Sequence, residues 1–409
     1  MGIPFDSIMV AKTNLVGSEN PLRRQAAGVA RVVSLLVCLV MALACCKVEA
    51  GKATDSSGEA APPRLRIVFF TPSDLSIPVG ARERVTQVAD AMEKFYFDGM
   101  KKWGYAPAVT NLFRHESDGL VEMLPVRGDQ PVGSHKYDNP SYANAVIAQT
   151  KKQYHISEKG DVWWIFIYLG DPPARFEDFR GMGNARDGGS AMVNYDSRPG
   201  EIRSDFSFVQ GFNGIFFLKS AVHELGHAFG LPHVGPDPEL DLGNCLMGPT
   251  TAAYIRRNGA KPDAVYLSQS SAARLWKHPL FSGIARNRAV LPQVKMTDYK
   301  ADYDAAKDRV TISGRLISDQ PAHSVIVTDD LGKPRDQYWV RGYTSRLAAD
   351  GTFQVVIDKP VRIAGHYRIE FCFNNGIVTG DGNHIGIDDR GSIKKAYQFI
   401  DGKFDFTDE

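Results

Sequence analysis

Cysteine is scarce where it would matter structurally. Of five cysteines in 409 residues, Cys38, Cys45 and Cys46 fall near the N-terminus, leaving only Cys245 and Cys372 in the rest of the chain. A disulfide framework is thereby excluded, and these two, on either side of the domain boundary drawn below, read as small buried hydrophobes. Neither sign of charge dominates either: the formal net charge is +1, so no long-range field selects nucleic acid or an anionic membrane as partner. Internal repeats and coiled-coil heptads are missing, which leaves an ordinary globular composition, 43% hydrophobic and 23% charged. At about 150 residues per domain, the length suits two domains plus an export segment.

The apolar run at 32–46 is shorter than the roughly 20 residues that span a bilayer. Arg23, Arg24 and Arg31 precede it and Val48-Glu49-Ala50 offers a small-x-small cleavage site, so 1–50 reads as a secretory signal with Gly51 as the mature start. Met9 is an alternative start. A membrane anchor and a lipid on Cys45 are the competing readings; Ala42-Leu43-Ala44-Cys45 lacks the leucine expected three residues before a lipidated cysteine. The chain is therefore expected to be secreted or extracytoplasmic, touching a membrane only if lipid-anchored.

Residues 51–63, rich in Gly, Ser, Ala and Pro, read as a disordered spacer. A first strand is expected at 65–70, then a helix in which Val85, Val88, Met92 and Phe95 recur at helical spacing, ending near Gly104. The runs at 109–113 and 119–124 read as a second strand and its continuation, 143–154 as a second helix, and 161–170 as a buried central strand. Between Gly181 and Gly200 the chain is rich in Gly, Asn and Asp, and only 190–195 reads as extended, an edge strand along which a peptide could lie. A helix at 215–229 and a shorter one at 268–276 follow. Beyond a linker at 291–307, short alternating runs at 310–316, 324–329, 338–343, 353–357 and 367–373 are punctuated by Asp350-Gly351, Gly365 and Asn374-Asn375-Gly376, a pattern of β-sandwich type.

One segment carries chemistry. From position 223 the sequence reads HELGHAFGLPH. Histidines at i and i+4 share a helix face, so His223 and His227 can hold one zinc ion. Gly230 stands where the helix must stop, able to adopt the left-handed conformation that swings His233 back toward the same metal. Three nitrogen ligands leave the fourth zinc position to water, as in catalytic rather than structural sites. Glu224, next to the first ligand, is the candidate general base for that water. Leu218, Ala221, Val222, Leu225 and Phe229 form the apolar stripe that anchors this helix. Asp237, Glu239 and Asp241 could bind calcium through hard oxygen ligands, or form a solvated loop stiffened by Pro236 and Pro238.

At these residues the chain resembles the metzincin clan of metallopeptidases, whose signature is HExxHxxGxxH followed by a methionine turn. The segment Asn244-Cys245-Leu246-Met247-Gly248-Pro249 is similar to that turn, which implies that Met247 is a hydrophobic floor beneath the histidines and not a ligand. The resemblance covers about 65–281. Astacins and serralysins place a tyrosine two residues after the methionine, where Pro249 stands here, so a tyrosine at that position is absent and Tyr254 is the substitute on offer. No cysteine lies between the cleavage site and the catalytic helix, so latency by a thiol on zinc is not expected.

The expected architecture is α+β: a metzincin-like catalytic domain at 64–290, with a twisted mixed sheet and an active-site helix, followed by an all-β sandwich-like accessory domain at 308–409. The expected function is a secreted zinc endopeptidase with a protein or peptide substrate. A cell-surface adhesion protein with a secondary peptidase domain, and a zinc hydrolase of a non-peptide amide, are the alternatives that the motif leaves open.

Overall fold

The computed structural model describes residues 62–137, 142–171, 180–195, 197, 211–212, 216–284, 288, 290–331, 334–380 and 391–406. The stretch read as an export segment with its cleavage site, and most of the stretch read as a spacer, lie outside them. In chain order the first elements are β1 (Leu65–Thr71), α1 (Ala81–Lys102), β2 (Met123–Arg127), α2 (Ala143–Gln153), β3 (Val162–Ile167), β4 (Arg180–Asn184), β5 (Gly188–Asn194), the short pair β6 (Gly211–Phe212) and β7 (Phe216–Phe217), and α3 (Leu218–Ala228).

The two most apolar runs become inner strands. β1 and β3 are buried along their whole length and pair in parallel, Leu65 beside Val162 through Phe70 beside Ile167. Strands of this kind need cover on both faces. Alternate residues supply it: Leu65, Ile67, Phe69, Trp164 and Phe166 join the core made with α1 and α3, whereas Val68, Phe70, Trp163, Ile165 and Ile167 join the core made with α2. The five-stranded sheet has the order β2-β1-β3-β5-β4, with β4 antiparallel to β5 and every other pairing parallel.

Two expectations fail here. The run at 109–113 is not a strand; Leu112 and Phe113 instead plug the core as loop residues, Phe113 stacking on Trp164 at 6.2 Å, and β2 begins only at Met123. The stretch read as an edge strand is internal, because β5 is paired on both sides and β4 forms the edge. β4 has the sequence RGMGN, whose glycines have low strand propensity and concealed it. Its glycines are there for closeness: a Cβ on Gly181 would lie 1.8 Å from the Glu224 carbonyl oxygen, and one on Gly183 would lie 2.1 Å from that of Ala228. The edge strand therefore lies directly on the backbone of α3.

Downstream come β8 (Asn244–Cys245), α4 (Thr251–Asn258), β9 (Val265–Tyr266), α5 (Gln269–Trp276) and α6 (Pro279–Ser282). Ser268 caps α5 by accepting from the Ser271 N–H, and His278 Nδ1 caps α6 by accepting from the Leu280 N–H at 3.3 Å. The stretch read as a linker carries a strand, β10 (Val294–Asp304), which pairs with β11 (Arg309–Ser318). Then follow β12 (Ala322–Asp330), β13 (Arg341–Arg346), β14 (Thr352–Asp358), β15 (Gly365–Phe373), β16 (Val378–Thr379), β17 (Ile393–Ile400) and β18 (Lys403–Asp405). They form two antiparallel sheets, β10-β11-β14 and β13-β12-β15-β17-β18 with β16 on β15, around a shared core that includes Val310, Ile312, Val325, Phe353 and Phe371. The architecture is mixed α+β.

The strand expected over 338–343 starts later than that, because Gln337, Tyr338 and Trp339 end a 3-10 turn (Pro334–Trp339) that leads into β13. The C-terminal sheets are fastened to the preceding helices by burial and charge together. Ile326 and Cys372 pack into the α1/α3 core, and Arg274 of α5 makes a buried ion pair with Glu370 of β15. The Arg346 guanidinium covers the rings of Tyr105 and Trp276 at 3.9 and 4.2 Å. Both Cys245 and Cys372 are free and buried. Among the described residues no helix is long and apolar enough to cross a membrane.

Two predictions follow from this packing. Gly181→Ala forces β4 away from α3 and should destabilise the chain by about 1–3 kcal/mol in urea unfolding, as overpacked sites do, whereas Gly133→Ala, with nothing within 4 Å of the added carbon, should be near neutral. The second concerns His278, which burial drives from the usual 6.5 down to about 3. Its folded pKa is depressed, so the stabilising neutral state is fully present above pH 6.5, and stability is lost as pH falls from there toward 3. Unfolding titrations should show about 2 kcal/mol lost between pH 6 and 4.5 from this group, and His278→Gln should flatten that slope.

Candidate metal centre

Helix α3 ends as its sequence dictates. The Leu231 N–H donates to the Gly226 carbonyl and the Gly230 N–H to that of His227, both at 2.9 Å, while Gly230 takes φ 85°. This pair of bonds around a left-handed glycine is a Schellman ending, and it reverses the chain within one turn. The chain then returns His233 to the helix face that carries His223 and His227.

The three imidazoles meet at a point. His227 Nε2 lies 3.1 Å from His223 Nε2 and 3.0 Å from His233 Nε2. The opposite ring nitrogens say which atoms carry hydrogen. His223 Nδ1 is 2.8 Å from the Leu246 carbonyl and His227 Nδ1 is 2.7 Å from the Leu231 carbonyl. A carbonyl can only accept, so both Nδ1 atoms carry the proton and both Nε2 atoms present a lone pair to the common point. Burial, and then the neighbouring histidines, hold His223 well below its ordinary pKa and His233 at about 3. The ligand atoms of the three histidines lie within 4.8 Å of one another. Nitrogens bound at about 2.0–2.1 Å to a tetrahedral ion would be separated by only slightly more than is seen here. A donor set of three neutral imidazoles fits a divalent transition metal or zinc.

The floor of the site is the segment around Met247. A Cβ on Gly226 would fall 2.5 Å from Met247 Sδ, so the helix rests on this fully buried methionine at its one glycine. Gly248 N donates back to the Cys245 carbonyl at 3.1 Å, Val234 N donates to the Met247 carbonyl at 3.2 Å, and Leu246 N donates to that of Tyr266 at 2.8 Å. Lys219, one helical turn before His223, is buried, and its ammonium donates to the Gly248 and Pro249 carbonyls at 3.1 and 2.9 Å. Burial lowers its pKa to about 8. The same turn therefore orients His223 through Leu246 and is itself clamped from the helix by Lys219. Glu224 follows the first histidine in this helix and is only partly buried.

Two further residues, Gln337 and Tyr338, were not legible as site residues. Tyr338 sits with its ring centroid 3.9 Å from that of His233 and 6.2 Å from that of His223, and the Gln337 side chain hydrogen-bonds His233. Burial, with the charge of Glu224, pushes the Tyr338 hydroxyl above its ordinary pKa. Both residues stand in a run that alternates like a strand, far along the chain from the motif, and no local pattern connects them to it. Tyr254, the substitute proposed from sequence, instead stacks on Trp339 at 6.4 Å. The three acidic residues considered for calcium do not form a cluster: among the described residues the histidines are the group able to hold a metal, and Glu239 is an ion-pair partner of Lys359.

Beside the site, a cavity of about 240 Å³ is lined by residues that include Asp237, Asp241, Arg257, Asn258, Trp339 and Arg341. Comparison with known proteins adds fold. No family model and no curated protein matches the chain. Among solved structures it is similar to wild-type OgpA from Akkermansia muciniphila, with TM-score 0.63 and 18% identity over 86% of this chain and 96% of that one. A second crystal form of that protein gives 0.59 and 17% over 83% and 95%. A catalytically inactive form of OgpA, in complex with an O-glycopeptide (glycodrosocin) substrate, gives 0.62 and 17% over 85% and 96%. At this identity the likeness is one of fold, and it extends over both the helix-bearing sheet and the C-terminal sheets.

Proposed function

We propose that this chain is a secreted zinc-dependent endopeptidase, and that its substrates are glycosylated peptides. The observation that carries the reading is the convergence of the Nε2 atoms of His223, His227 and His233 on one helix face, next to Glu224 in the chain. In this reading His223, His227 and His233 hold zinc. When bound, zinc supplies a Lewis acid that acidifies water and polarises an acyl carbonyl. The chain's own residues do the rest. The Leu246 and Leu231 carbonyls fix the two helix imidazoles in the tautomer that ligates. The Glu224 carboxylate takes a proton from the attacking water and returns it to the leaving amine nitrogen, so the peptide C–N bond breaks with no net change at Glu224. The outer edge of β4, which pairs with no further strand among the described residues and is held against α3 beside Glu224, would offer backbone donors and acceptors to an extended peptide.

The metzincin resemblance and the OgpA fold both support a peptidase, and the O-glycopeptide bound to OgpA supports a glycosylated substrate. The cavity beside Trp339 has the side chains to receive one: carboxylates, an amide and guanidinium groups that can bond several hydroxyls at once. The apolar run at 32–46 would export the chain, so N-terminal sequencing of the secreted protein should read Gly51; a lipid-modified Cys45 would contradict that.

The central test uses the purified chain with matched libraries of bare and O-glycosylated peptides, together with elemental analysis. Glu224→Gln should keep one zinc per chain and lose turnover by about 10³-fold, within the usual range for a general base. His227→Ala should lose the metal. Full turnover in Glu224→Gln, or unchanged metal in His227→Ala, would contradict the mechanism. For the glycan reading, Asp241→Ala and Asn258→Ala should reduce cleavage of glycosylated peptides at least tenfold while leaving metal content intact. Equal cleavage of bare and glycosylated peptides by wild type would restrict the reading to a general endopeptidase.

A further inference from the structure

We infer that Tyr338, delivered from the C-terminal sheets, is a catalytic residue of this site: its phenolic hydroxyl donates a hydrogen bond to the substrate carbonyl oxygen as that oxygen becomes an oxyanion. The inference rests on the peptidase reading above. Acyl transfer concentrates negative charge on one oxygen, and a fixed donor aimed at that charge lowers the barrier more than any contact to the ground state. Zinc, when bound, would meet part of that need; the side-chain donors described so far add nothing to it. In that reading the three histidines hold the metal and Glu224 handles a proton, and the Lys219 ammonium is buried and occupied by the Gly248 and Pro249 carbonyls.

Tyr338 meets the requirement by position. Its ring lies over His233 at 3.9 Å and 44°, and approaches His223 at 6.2 Å and 30°, so the phenol borders the common point of the three Nε2 atoms. It is half-buried, shielded enough to strengthen a hydrogen bond and open enough to meet a substrate. The segment that bears it is held from several directions. Gly235, two residues after the third histidine, donates its N–H to the Val340 carbonyl at 2.7 Å, and a Cβ there would lie 2.5 Å from Trp339 Cα. Trp339 is covered by the Arg257 guanidinium at 4.1 Å and stacks on Tyr254. Gln337 is bonded to His233 itself. A residue held on both sides by such contacts is preorganised, which is the condition for an oxyanion donor. The hydroxyl keeps its proton throughout; nothing is transferred from it.

Three measurements on Tyr338→Phe, with Tyr338→Ala alongside, test the assignment. The first is kcat and KM on a peptide that the wild type cleaves; the second is the affinity of a phosphinic peptide, a tetrahedral mimic, against that of the parent peptide measured in a Glu224→Gln background. The third is the visible spectrum of the cobalt-substituted chain. Tyr338→Phe should lower kcat about 10²-fold, the usual loss for one oxyanion donor, with KM changed less than threefold. Phosphinic peptide affinity should fall by a similar factor, and binding of the parent peptide should be unchanged. The cobalt spectrum and metal content should match wild type. Unaltered kcat in Tyr338→Phe with a loss confined to Tyr338→Ala would make the ring a wall and overturn the proposal. An altered cobalt spectrum would make the phenol a metal ligand and overturn it equally. A wild-type chain that binds metal and cleaves no peptide would instead defeat the peptidase reading, and this proposal with it.

Discussion

His223 and His233 bring their Nε2 atoms to 3.1 and 3.0 Å from His227 Nε2, and this close approach of three imidazoles is what the surrounding bonds hold in place. Two backbone carbonyls, of Leu246 and Leu231, fix the helix imidazoles; the reversed turn at Gly230 supplies one of those carbonyls and also returns His233. The remaining carbonyl belongs to the segment that places Met247 under Gly226, and Lys219 ties that segment to the helix. A cation at the common point would be favoured by this arrangement, since converging imidazole nitrogens are what such an ion needs.

Closeness of backbones is the second theme. Gly181 and Gly183 let the edge strand lie on α3, and Gly226 lets the helix lie on Met247. Each contact removes a side chain's thickness from between two elements, so that the strand edge, the histidine face and the floor occupy one small volume. The strand edge and Glu224 share that volume because Gly181 faces the Glu224 backbone. The cost is low strand propensity in β4, a local weakness accepted where two backbones must come close.

The C-terminal sheets reach the three histidines through the same economy of space. They share a core with the helices through Ile326 and Cys372, carry the partner of a buried Arg274, and hold the turn that brings Tyr338 onto His233. A buried ion pair such as Arg274–Glu370 contributes little net stability, but removing either member alone would strand the other. That makes it a registration device between the two halves, and registration is what a side chain reaching from one half into the other requires. The sheets read from sequence as an accessory module thus border the metal centre.

The motif made much of the site legible beforehand, because its logic is local. Helical periodicity puts His223 and His227 on one face, and the glycine after the helix dictates a reversal; neither needs knowledge of distant residues. The inner strands were legible for a similar reason, since continuous apolar runs such as 162–167 have few alternatives to burial on both faces. The edge strand was hidden because its glycines were selected for contact with α3 rather than for extension, and β10 because its alternating polar face looked like a linker. Tyr338 could not be found at all from the chain alone. Its meeting with His233 depends on the pairing of β13 with β12 and on the seat that Gly235 offers Trp339, both of them long-range contacts. The sequence by itself determined which atoms could hold a metal, because ligand spacing is fixed by the helix repeat. The tertiary structure alone decided what surrounds that metal, because loops and sheets far apart in the chain are joined only by packing.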